Sequence, residues 1–127
     1  MRVIYDDNKA GIVEMLLWEF MNSPNTSVND FLKDDYGMQR IQTNILYKRI
    51  NEYLKEHGFR IGRSAKHANG IGNNCAYPVY FDTPNEVQEC CTIHINYGLH
   101  GEAWVYLTDY DTNKLGKSYK LSQHGII

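Results

Sequence analysis

Nowhere does the chain hold an apolar run near the about 18 uncharged residues that a membrane-crossing helix requires. The longest candidate, Met15-Leu16-Leu17-Trp18, is hemmed in by Glu14 and Glu19. A secretory leader is not expected either, since Met1-Arg2-Val3-Ile4-Tyr5 turns acidic at Asp6-Asp7, where an apolar stretch would have to begin. Export and membrane insertion are therefore disfavoured, and a cytoplasmic location is expected. Cysteine is scarce: Cys75, Cys90 and Cys91 cannot all pair within the chain. Adjacent strand residues point to opposite faces, so Cys90 and Cys91 should diverge, and reduced thiols are expected. The same divergence argues against a zinc site built from these cysteines with His94 and His100, because a zinc knuckle aims two sulfurs at one ion. No metal or cofactor is expected.

Catalytic motifs are also lacking. A cysteine at 90 or 91 could pair with His94 or His100, and Asp109 and Asp111 could supply carboxylates, but no spacing fixes these groups within mutual reach. An enzyme is not expected. Asp109-Tyr110-Asp111-Thr112-Asn113-Lys114 lacks the glycine and distal glutamate of a calcium loop and reads as a turn capped by Asp and Asn. Gly70-Ile71-Gly72 has neither the preceding strand nor the following helix of a nucleotide-binding loop.

What is present fits one globular domain: 127 residues, 43% hydrophobic and 22% charged. Ten tyrosines suit a binding protein at least as well as an enzyme. The formal charge is only −2, but it is segregated. Residues 1–37 carry a net −4, residues 73–127 a net −3, and residues 38–72 a net +5 from Arg40, Lys48, Arg49, Lys55, Arg60, Arg63 and Lys66 against Glu52 and Glu56. A contiguous basic segment inside an acidic chain suggests a local polyanion-binding surface.

Periodicity predicts a first helix from about Asn8 to Met21, with Ile12, Val13, Met15, Leu16, Leu17 and Phe20 as its apolar stripe. A short second helix is expected from Ser27 to about Tyr36, and a third from Asn44 to His57, capped by Thr43 and ended by Gly58. In the third, Leu46, Ile50, Tyr53 and Leu54 share one side at about 100° per residue. Asn44, Lys48, Asn51 and Lys55 share the other, with Tyr47 toward its edge. Asparagine can read a base edge and lysine can neutralise phosphate. Directly after this helix comes a basic hairpin, with Arg60, Arg63 and Lys66 before a Gly/Asn tip, that returns through Tyr77-Pro78-Val79-Tyr80-Phe81. Further strands are expected at Val87–Asn96, Ala103–Thr108 and Ser118–Leu121. In the C-terminal third, Cys91, Ile93, Ile95, Val105 and Leu107 alternate with Thr92, His94, Asn96, Trp104 and Tyr106. One face is thus aliphatic, and the other offers Trp104 and Tyr106 to a partner, to a second copy or to the first helix.

The run from Ile41 through Lys48-Arg49, Gly58-Phe59-Arg60 and Arg63-Ser64, followed by the hairpin, resembles a winged-helix recognition unit. It is similar to the winged-helix domain at the C-terminal end of phage- and plasmid-type primase-helicases, over about residues 10–82. The resemblance implies three N-terminal helices and a β-wing in residues 1–82; the acidic C-terminal third has no counterpart in that family, and its alternation reads as an antiparallel β extension in 83–127, for an α+β fold. It also implies contacts to duplex DNA from Asn44, Tyr47, Lys48, Asn51 and Lys55 on the helix and from Arg60, Arg63 and Lys66 in the wing. No primase or helicase core and no ATP-binding loop is present, so that family's catalytic activity does not transfer. The resulting expectation is a small DNA-binding protein of phage or mobile-element origin, resident in the host cytoplasm and acting in replication or transcription control. The alternative is a protein-binding module, such as a phage inhibitor of a host defence nuclease, using Trp104 and Tyr106.

Overall fold

The computed structural model describes residues 2–22, 39–62, 66–67, 74–97, 103–111, 113–122 and 125–126. The helix expected at Ser27–Tyr36 lies outside them, as do Arg63 and the hairpin tip. The strands are β1 (Arg2–Tyr5), β2 (Phe59–Ile61), β3 (Lys66–His67), β4 (Asn74–Asp82), β5 (Glu86–Tyr97), β6 (Ala103–Thr108), β7 (Lys114–Ser122) and β8 (Gly125–Ile126). The helices are α1 (Ala10–Asn22) and α2 (Gln39–Lys55).

The expected three helices plus wing are overturned. The described residues hold two α-helices against one eight-stranded sheet, ordered β2-β4-β5-β6-β7-β8, and the fold is strand-dominated. In place of a small wing with an appended extension, β4 pairs with β5 along nearly its whole length, from Asn74↔Asn96 to Asp82↔Val87. The boundary drawn at residue 82 falls in the turn of this hairpin, where the Thr83 amide donates to the Glu86 carbonyl at 2.9 Å. β3 continues β2 along the free side of β4. β1 runs parallel to β5 and shares its other side with β6, so both halves of the chain lie in one sheet.

Each element follows from its residues. Asp6 caps the 3-10 turn that leads into α1, its Oδ1 accepting from the Asn8 amide at 3.0 Å. Val13, Leu16, Leu17, Phe20 and Met21 of α1 are buried, whereas Ile12 and Met15, expected in the same stripe, are exposed together with Trp18. The helix is apolar around most of its circumference, so periodicity alone overstates the arc that the sheet covers. α2 begins four residues before Thr43, which lies inside the helix and does not cap it. The expected face of α2 is the buried one: Leu46, Ile50 and Leu54 are closed to solvent. Gly58 ends the turn after the helix at φ 90°, a backbone angle that side chains disfavour, and donates its amide to the Lys55 carbonyl at 3.1 Å.

Both helices lie on one face of the sheet, where their apolar residues meet Phe59, Ile61, Val79, Cys91, Ile93, Ile95, Val105 and Leu107 in a single core. The alternate residues of the central strands, among them His94, Trp104 and Tyr106, therefore belong to the opposite face, which no described helix covers. A bulge alters the expected divergence of the cysteines. Val79 pairs with Cys91 but Tyr80 with Glu89, which leaves Cys90 as the extra residue of β5. Strict alternation fails there, and both thiols sit in the same core.

Candidate nucleic-acid interface

The outer edge of β2 is where the basic segment acquires its geometry. β2 pairs with β4 on one side, and on the other its backbone groups would be open to solvent or to another strand. α2 closes that edge with two side chains. Asn51 Oδ1 accepts from the Ile61 amide at 2.9 Å. The Tyr47 hydroxyl donates to the Gly62 carbonyl at 3.1 Å and lies 3.5 Å from the Ile61 carbonyl. The Gly62 contact answers a specific deficit. Gly62 donates its amide to the Pro78 carbonyl at 2.8 Å, and an antiparallel pair would return an N–H from residue 78. Proline has none, and the tyrosine hydroxyl takes its place.

Glycine at 62 is dictated by crowding: a Cβ there would lie 2.8 Å from both Pro78 Cγ and Tyr80 Cε2. The register pairs Arg60 with Tyr80, and the guanidinium carbon sits 4.6 Å from the tyrosine ring centroid. Asp82 grips the same guanidinium with two bonds, 2.6 Å from Nε and 3.0 Å from Nη2. The hydrogen bond with Arg60 holds the Asp82 carboxyl below its ordinary pKa and raises that of the arginine, so the pair is ionised. Tyr47, Asn51, Lys55, Arg60, Ile61, Gly62 and Tyr80 line one open cleft of about 650 Å³. It runs from α2 over the edge of β2.

Four of the eight residues predicted to touch DNA thus converge: Tyr47, Asn51, Lys55 and Arg60. Lys48 is exposed on α2 away from the cleft lining, and among the described residues neither Lys48 nor Lys55 is in an ion pair. Asn44 lies in α2 and Lys66 in β3, whereas Arg63 is outside the described residues. The roles of three residues differ from those expected. Tyr47 and Asn51 hydrogen-bond to the backbone of β2, because a helix at a sheet margin buries an arc that extends from its apolar stripe to the flanking polar positions. Arg60 is neutralised by Asp82. Sequence reasoning missed Tyr80, Asp82 and Gly62 as members of the site. Counting register back from the hairpin would not have found Tyr80, because β3 and β2 pair with β4 in registers that differ by two residues, and the β3 register would set Arg60 opposite Asp82.

The predicted partner-binding residues lie elsewhere. Trp104 is 37% exposed on the helix-free face, so it does not pack on α1. Tyr106 is half-buried and stacks on His94, with centroids 4.4 Å apart and planes 3° from parallel. His94 Nε2 lies 2.8 Å from Thr108 Oγ1, Nδ1 has no hydrogen-bond partner among the described residues, and burial lowers the imidazole pKa. The sheet separates His94 from the two thiols, so His94 forms no thiol–imidazole pair with them, and His100 lies outside the described residues. Burial pushes Cys90 up to about 11 and Cys91 higher still. No cluster of three or more His, Cys, Asp or Glu side chains suited to a metal occurs among the described residues. Asp109 closes the β6–β7 turn as a cap, its Oδ1 accepting from the Asn113 amide at 2.8 Å. No described helix is long and apolar enough to cross a membrane. Comparison with protein-family models, curated proteins and solved structures finds no match.

Proposed function

We propose that this chain is a nucleic-acid-binding protein that holds the sugar-phosphate backbone at the α2–β2 cleft. The observation that carries this reading is the convergence of Lys55 with Arg60, Tyr47, Asn51 and Tyr80 in one open recess, formed by α2, the β2 strand that follows it and β4 from further along the chain. Lys55 supplies an exposed charge to that recess, and Lys48 supplies another on the same helix. Aromatic and amide groups beside a cation suit a nucleotide better than a simple ion. The acidic segments on either side weaken long-range attraction, so binding is modest and salt-sensitive.

The test is a salt titration of binding to labelled oligonucleotides. Lys48→Glu combined with Lys55→Glu should weaken binding at least roughly tenfold at low salt and flatten the dependence of log Kd on log salt, because each lost phosphate contact removes about 0.7 to 0.9 from the slope. Unchanged affinity and slope would refute the proposal.

A further inference from the structure

We infer that the ligand of the α2–β2 cleft is a single-stranded nucleic acid, with one base stacked on the Arg60 guanidinium and the adjoining phosphate on Lys55. The inference rests on the nucleic-acid reading above and narrows it. A recognition helix reads duplex DNA by inserting side chains into a major groove about 12 Å wide. Two α2 residues suited to base reading are turned the other way: Asn51 is spent on the Ile61 amide and Tyr47 on the Gly62 carbonyl. β2 therefore flanks the side of the helix that a groove would have to enclose. Among the described side chains of α2, outward cations such as Lys48 remain for a duplex, and these are suited chiefly to phosphate.

A single strand faces no such obstacle, because unstacked bases can enter a recess and stack on aromatic rings or guanidinium planes. Arg60 is prepared for that task. Tyr80 supports it from one side at 4.6 Å, and Asp82 holds it in plane through two of its five N–H groups. Asp82 also cancels its charge, so Arg60 serves as a platform rather than a phosphate grip. Lys55 lines the same cleft and supplies the charge that Arg60 has given up.

The experiment measures fluorescence anisotropy of a 5′-labelled oligo-dT, an oligo-rU and a mixed-sequence duplex, each of about 12 nucleotides or base pairs, the size of one small single-strand site. The proteins are wild type, Arg60→Lys and Lys55→Glu, each checked by circular dichroism. Arg60→Lys keeps the charge and loses the plane. Single strands should bind more tightly than duplex, and Arg60→Lys should weaken single-strand binding roughly tenfold while leaving duplex binding unchanged. The dT and rU arms show whether the single strand is DNA or RNA, and preference for either supports the inference. Tighter duplex binding, or single-strand binding lowered by Lys55→Glu but untouched by Arg60→Lys, would overturn the single-strand assignment while sparing the nucleic-acid reading. Failure of every oligonucleotide to bind at low salt would end both.

Discussion

Replacing Tyr47 with phenylalanine removes one oxygen and tests how the edge of β2 is closed. The ring keeps its packing beside Tyr77, 4.8 Å between centroids, so the loss is confined to the hydroxyl. That hydroxyl supplies the Gly62 carbonyl, at 3.1 Å, with the donor that Pro78 cannot provide. A net hydrogen bond contributes about 1 kcal/mol, and a half-buried carbonyl left without a donor costs about as much again. The substitution should therefore destabilise by about 1–2 kcal/mol, lowering Tm by roughly 3–8 °C for a domain of this size. Urea unfolding of Tyr47→Phe, Pro78→Ala and the double variant separates this account from general packing loss. Alanine at 78 restores an N–H to the strand, so Tyr47→Phe should cost less in that background, with a coupling of at least about 0.5 kcal/mol. A cost for Tyr47→Phe within about 0.3 kcal/mol of zero, or strict additivity in the cycle, would refute the reasoning.

Two other buried groups give predictions of opposite kind. Burial holds the His94 pKa below its ordinary 6.5, so the unfolded chain takes up the proton first as pH falls. The contribution of His94 is complete above about pH 6.5, shrinks below it by up to about 1.4 kcal/mol per pH unit, and levels off beneath the folded pKa. Urea unfolding between pH 7.5 and 5 should show a component that His94→Gln lacks. Parallel pH profiles for the two proteins would count against it. For the cysteines, a pKa of about 11 at Cys90 and burial of both thiols leave little reactive thiolate near neutral pH. In a Cys75→Ser background both should react slowly with a thiol reagent at pH 8 and rapidly in guanidinium. Fast labelling of the native protein would contradict their placement in the core.

The C-terminal strands were legible because their signal is local. Val105 and Leu107 alternate with Trp104 and Tyr106 at the period of a strand, and the structure places the two sets on opposite faces. The buried side of α2, formed by Leu46, Ile50 and Leu54, was legible for the same reason at the helical period. β1 was not, although Val3-Ile4-Tyr5 has strand-forming composition, because its partner among the described strands, β5, is more than eighty residues away. The bulge at Cys90 was equally hidden, since an extra residue leaves the pattern of residue types almost unchanged.

For the candidate site the division is the same. Charge segregation in the sequence was enough to locate a basic stretch running from α2 into the hairpin, because charge is a property each residue carries by itself. Which of those residues remain available to a ligand was decided by tertiary structure alone. Asn51 and Tyr47 are polar on any helical wheel, and only the edge of β2, brought alongside α2, supplies the backbone groups that engage them. Arg60 is basic in any composition, and only the β2–β4 register sets Tyr80 beneath it while folding brings Asp82 to its guanidinium. Residue type is local information, whereas a hydrogen-bond partner is fixed by chain topology.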